Sequence, residues 1–156
     1  MMKKLLALLL AAAICCLTSA CSKSDDGPDL RSKAGALVGT WQTTTHRWVW
    51  YENGKRVDAA TDPDDWFTLQ LTADGQYHWR EEDDYVSSED DGRYTYDTSS
   101  HLLRLLDAGL GLDFGLASAV VTRLTENRLE LSWTDEWYED GIDYREENTL
   151  SFRRIE

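Results

Sequence analysis

The chain is predicted to be all-β, a single antiparallel up-and-down barrel of about eight strands, and three observations predict it. From Gly39 onward, short runs rich in Thr, Val, Trp and Tyr follow one another. Turn chemistry separates those runs about every ten residues. Within them, apolar and polar residues alternate, which places successive side chains on opposite faces of a sheet.

The elements follow in order. A helical turn is expected at 34–38, and strands at 39–51, 55–60, 66–72, 76–83, 92–97, 101–107, 116–124, 128–135 and 143–154. Asn53-Gly54 is the strongest hairpin signal, because both central residues of a type I′ turn need positive φ. Ala73-Asp74-Gly75, Thr98-Ser99-Ser100 and Glu126-Asn127 read as further tight turns. Alternation then assigns the faces. Leu129, Leu131 and Trp133 share one side, as do Phe67, Leu69 and Leu71, Tyr77 and Trp79, Tyr94 and Tyr96, and Leu150 and Phe152. A meander of this size closes on itself to remove its edges. No internal repeat or second domain is visible, and the domain is read as 34–156.

The domain opens with Gly39-Thr40-Trp41 and ends in NTLSFRRIE. This pairing resembles the lipocalins and their calycin relatives, and FTLQLTADGQYHW, DGRYTYD and VVTRLTENRLELSW are similar to the strand rhythm of lipocalin-like domains in Bacteroidota lipoproteins. The resemblance implies that Gly39, Trp41 and a terminal arginine close the barrel floor through cation–π and backbone hydrogen bonds. Parity with Leu150 and Phe152 favours Arg154 for that role, whereas a bulge would hand it to Arg153.

Residues 1–20 read as an export signal. Lys3 and Lys4 precede an apolar run from Leu5 to Leu17, and Thr18, Ser19 and Ala20 lead into Cys21. This order resembles the lipobox of bacterial lipoproteins, with Thr18 where that family prefers Leu, and implies lipidation at Cys21. Cys15 and Cys16 depart with the leader, so no disulfide remains possible in 21–156. Residues 21–33 are polar, contain Gly27 and Pro28, and read as a flexible tether. Asp25-Asp26 resembles the surface-export signal of Bacteroidota lipoproteins, and Ser22 resembles outer-membrane sorting. The expected location is the bacterial outer membrane, with periplasmic or surface orientation open.

The whole chain of 156 residues carries a formal charge of −13. Lys3 and Lys4 are the leader's only charges, so the remainder is more negative still. Such a surface repels phosphate backbones and anionic headgroups, which excludes nucleic acid as a partner and leaves acyl chains to hold the membrane. A monomer without a cofactor is expected.

Seven tryptophans and seven tyrosines are many for this length. The ligand-binding candidates are Trp48, Trp50, Tyr77, Trp79 and Trp133, whose rings would stack on an apolar molecule or on sugars. The competing reading is that inward aromatics fill a small barrel. Trp48, Trp50, Trp66 and Trp137 do not all fit the inward parity, and a rim or outer-face position is expected for some.

Acidic clusters at 81–84, 89–91 and 135–140 lack EF-hand spacing and read as solvated turns. His46, His78 and His101 fall on different strands, without metal-ligand spacing. Neither a nucleophile elbow nor a phosphate-cradling loop is present, so no enzyme is expected. The run AGLGLDFG at 108–115 reads as a bulged strand or tight loop, or else as a mobile lid. The function expected is binding of a small, partly apolar ligand, with a glycan as the alternative partner. The alternatives are a surface glycan-binding module and a protein-interaction or inhibitor module with a filled barrel.

Overall fold

A computed structural model describes residues 27–63, 66–82, 87–106 and 117–156. The leader, Cys21 and the glycine-rich run at 108–115 lie outside the described residues. A 3-10 turn at Ala34–Leu37 precedes nine strands: β1 (Gly39–Glu52), β2 (Lys55–Pro63), β3 (Phe67–Leu71), β4 (Gln76–Glu82), β5 (Ser87–Asp97), β6 (Leu102–Leu106), β7 (Ser118–Leu124), β8 (Arg128–Glu139) and β9 (Ile142–Arg154).

All pairings are antiparallel, in the order β2-β1-β3-β4-β5-β6-β7-β8-β9, and β1 pairs with β9 to close the ring. β2 and β3 both run antiparallel along the same side of β1. β3 pairs with Gly39–Gln42, and β2 pairs with Thr45–Glu52. They are two halves of one track, so the closed barrel has eight strands. Above it, β2, β1, β9 and β8 continue as a four-stranded tongue.

Three strands run well beyond the sequence pattern. β2 continues to Pro63, β5 begins at Ser87, and β8 extends to Glu139 before a turn at Asp140-Gly141 whose φ values are 50° and 85°. The acids crowded into these segments make them read as solvated turns, although their backbone is paired. Asn53 and Gly54 adopt φ 49° and 74°, the double positive pair that a type I′ hairpin demands.

Where the β3 track gives way to β2, buried Thr43 fills the gap in the ladder. Its hydroxyl accepts from Phe67 N at 3.1 Å and donates to Phe67 O at 3.3 Å. On the β9 side, the register slips between Thr43 and Thr45, leaving Thr44 as an extra residue. This bulge reverses parity. Trp41 and Thr43 point inward below it, while His46, Trp48 and Trp50 share the inward-face register of Leu150, Asn148 and Glu146 above it.

One arginine organises the base. The Arg154 guanidinium lies 4.1 Å from the Trp41 ring centroid. It donates to Val38 O at 2.6 Å, Ala36 O at 2.7 Å and Glu126 O at 2.6 Å. Trp41 Nε1 donates to Leu37 O at 2.9 Å. Burial lowers the arginine pKa, but guanidinium remains charged. Gly39 has φ 150°, and a Cβ there would collide with Arg154 Nη1. Trp41, Leu37, Leu69, Leu129 and Phe152 fill the space above this clamp and are essentially inaccessible to solvent.

The segment read as tether joins the domain before Ala34. Leu30 N donates to Leu124 O at 2.8 Å, Leu30 packs on the core, and Tyr96 OH donates to Arg31 O at 2.7 Å. Its apolar side chain and free backbone groups find partners on the barrel floor, so any tether ends ahead of residue 30.

Trp41→Ala is expected to cost about 3–5 kcal/mol, a large share of a typical domain's roughly 5–15 kcal/mol, measured by denaturant unfolding. Gly39→Ala is expected to destabilise strongly in the native background and less once Arg154 is truncated, because the nearest colliding atom is gone while Glu156 O remains. Additive effects in that double-mutant cycle would show that the two residues do not touch.

The β5–β6 turn is expected to respond to acid. Asp97 accepts from Ser99 Oγ at 2.7 Å, Ser100 Oγ at 2.7 Å and Ser99 N at 2.9 Å. These donors hold its carboxyl below the ordinary 3.8. Arg31 likewise lowers Asp29 to about 2. A carboxyl depressed in the folded state stabilises above its unfolded pKa and loses that contribution as pH falls through the folded one. Thermal midpoints are therefore expected to drop below about pH 4, and Asp97→Ala is expected to flatten part of that decline.

Candidate functional site

The barrel is filled at its base and hollow at its mouth. A cavity of about 360 Å³ opens at the end remote from Arg154. Among the described residues it is lined by His46 of β1, Asp62 and Pro63 of β2, Trp66, Phe67 of β3, Trp79 and Glu81 of β4, Trp133 of β8 and Leu150 of β9. Cross-strand registry explains the convergence. His46 faces Asp62 on one side and Leu150 on the other, Phe67 faces Glu81, and Leu69 beneath it faces Trp79.

The wall is aromatic and mostly fixed. Phe67 and Trp79 lie with ring centroids 5.0 Å apart, tilted by 32°. Phe67, Trp79, Trp133 and Leu150 are all buried, whereas Trp66 at the rim is half exposed. The His46 ring lies nearly parallel to Trp133, at 6.3 Å between centroids.

A short polar relay orients that pair. Asp135 Oδ2 accepts from Trp133 Nε1 at 2.9 Å and from Asn148 Nδ2 at 3.5 Å. A carboxylate only accepts, so the amide turns its NH₂ toward Asp135 and leaves Oδ1 for His46 Nε2 at 2.9 Å. The network places a proton on His46 Nε2. Glu81 at the rim accepts from Ser88 Oγ at 3.2 Å.

The five aromatics singled out in the sequence separate in space. Trp79 and Trp133 line the cavity. Tyr77 does not: it is fully buried, its ring sits where a Cβ on Gly92 would come within 2.7 Å, and its hydroxyl donates to Asp90 Oδ2 at 2.9 Å. It fills the barrel below the cavity, one pleat from Trp79. Trp50 sits up on the tongue, edge-on to Trp137 at 5.7 Å and to Tyr144 at 6.0 Å. Trp48 shares that face but does not line the cavity.

His46, Trp66, Phe67, Leu150, Asp62 and Glu81 complete a wall that sequence reasoning did not assemble. The inward parity of Phe67 and Leu150 was legible. The height of each residue in the barrel was not, because the bulge at Thr44 and the change of partner from β3 to β2 shift it. The other two histidines stay apart: His78 pairs with Asp91 on the outside, and His101 Nδ1 lies 3.4 Å from Tyr96 OH. Among the described residues, no group of three or more His, Cys, Asp or Glu is placed to hold a metal ion.

No family model matches the sequence, and no curated protein matches it. Among solved structures, the chain is similar to a lipocalin-like protein from Bacteroides uniformis. That likeness has a TM-score of 0.51 at 17% identity, covering 78% of this chain and 100% of that one. An uncharacterized protein from Bacteroides eggerthii gives a TM-score of 0.46 at 15% identity, covering 76% and 99%. At 17% identity the first likeness is one of fold. The chain folds as a closed, eight-stranded antiparallel barrel of the lipocalin-like kind.

Proposed function

We propose that the protein is a non-enzymatic, lipid-anchored component of the bacterial outer membrane that holds a small, partly apolar molecule at the barrel mouth. The observation that carries this reading is the cavity. Its volume of about 360 Å³ lies at the lower end of the roughly 300–1,000 Å³ typical of small-molecule sites. Trp79, Phe67, Trp133 and Leu150 offer an apolar interior, and His46 and two rim carboxylates offer orientation. The filled base makes the mouth the entrance. Trp41, Gly39 and Arg154 belong to the base, and their role in this reading is to close it.

Anchoring rests on the leader and Cys21. Detergent partitioning is expected to carry the wild-type chain into the detergent phase and to leave Cys21→Ala in the aqueous phase. Aqueous partitioning of both would contradict the anchor.

Binding is tested by titrating the purified chain with a hydrophobic dye, short fatty acids, small aromatic compounds and a glycan panel, following tryptophan emission. Saturable binding of an apolar member near micromolar, about −8 kcal/mol, is expected. Trp79→Leu is expected to weaken it about tenfold and to lower stability, since stacking on one ring is worth about 0.5–1.5 kcal/mol, with a retained cooperative unfolding transition as the check on folding. Response to glycans alone would favour a glycan-binding surface. No response from any class would leave the protein-interaction reading.

A further inference from the structure

The mouth cavity carries more than apolar walls. Two carboxylates, Asp62 and Glu81, stand on its lining, and among the described lining residues there is neither lysine nor arginine. Between and below them lie the rings of Trp66, Phe67, Trp79 and Trp133. From this combination we infer that the cavity selects an organic cation: a compact aromatic or aliphatic body bearing one ammonium group. The inference rests on the proposed ligand-binding role of the same cavity and names the ligand's chemistry.

The physical argument concerns what each class of ligand does to Glu81. Its carboxylate is half-buried beside the rings, with the Ser88 hydroxyl as a hydrogen-bond donor. A neutral apolar ligand entering the cavity displaces water from that carboxylate and returns nothing, which is costly. An anion does the same and adds repulsion from Asp62, Glu81 and a chain of net charge −13. An ammonium group instead pairs with the carboxylates and meets the negative faces of the tryptophan rings. His46 is turned aside, with Nε2 taken up by Asn148 Oδ1 at 2.9 Å and its ring laid against Trp133.

The geometry also sets the orientation. The four buried groups, Phe67, Trp79, Trp133 and Leu150, form the deep wall and accept the apolar body. The carboxylates and exposed Trp66 stand at the rim, where the charged end keeps contact with water.

Three near-isosteric probes separate the possibilities: 2-phenylethylamine, 2-phenylethanol and 3-phenylpropionate, titrated calorimetrically into the purified chain at low and moderate salt. The amine is expected to bind about tenfold more tightly than the alcohol, with the acid weakest, and added salt is expected to narrow the gap. The double variant Asp62→Asn/Glu81→Gln keeps shape and hydrogen bonding while removing both charges. It is expected to bring amine and alcohol within about twofold of each other, with an unchanged thermal midpoint as the check on folding. Alcohol or acid binding as tightly as the amine overturns the cation inference and leaves the apolar-ligand reading standing. Unchanged amine preference in the folded double variant also overturns it. If none of the three binds while the hydrophobic dye does, the cation inference alone falls. If nothing binds, both fall.

Discussion

The Arg154 guanidinium holds the fold together at one point. It covers the Trp41 ring and reaches carbonyls of three separate positions: Ala36 and Val38 around the 3-10 turn, and Glu126 in the β7–β8 connection. These carbonyls lie in turns, where no strand ladder takes them up. A single planar cation with fixed donors satisfies all of them at once. The residue that permits this is Gly39, since any side chain there would occupy the arginine's place. First and last strands are thereby joined at the base, in addition to their backbone ladder, and the leading segment from Leu30 is drawn onto the same floor.

A closed base lets the mouth be hollow. The leucines, Trp41, Tyr77 and Phe152 supply the core in the lower barrel, so the upper walls need not collapse on one another. There the strands are spread by the bulge at Thr44 and by the change of partner from β3 to β2. Buried Thr43 answers the polar demand that this change creates, exchanging two hydrogen bonds with the backbone of Phe67. The aromatic walls above are kept in place by the Asp135–Trp133 and Asp135–Asn148–His46 hydrogen bonds. On the tongue beyond, Trp137 stacks on Tyr144 at 5.2 Å and Tyr51 lies under the Arg145 guanidinium.

Much of this fold was legible because alternation in β3, β8 and β9 is strict. Leu129, Leu131 and Trp133 face inward as their spacing requires, and Asn53-Gly54 turns as its φ preferences require. The site was legible only in part. Tyr77 and Trp79 share a face and lie one pleat apart, roughly 7 Å along the strand. That step separates a core residue from a cavity wall, and local sequence contains no measure of it. His46 escaped for a different reason. The extra residue at Thr44 reverses parity along the rest of β1, so His46 shares the face of Leu150 even though counting from Trp41 puts it outside. The Asp140-Gly141 turn was missed because the acids around it resemble an irregular loop, although they stand on paired strands.

The division between clamped base and open mouth is tested most directly by native-state amide hydrogen exchange across a denaturant series. Amides of Trp41, Leu69, Leu129 and Phe152 are expected to exchange only through global unfolding, with full denaturant sensitivity. Amides of Trp48, Trp50, Trp137 and Tyr144 on the tongue are expected to exchange through local openings that denaturant scarcely affects. Equal, denaturant-insensitive exchange at both ends would contradict a barrel held shut by Arg154 and left hollow above it.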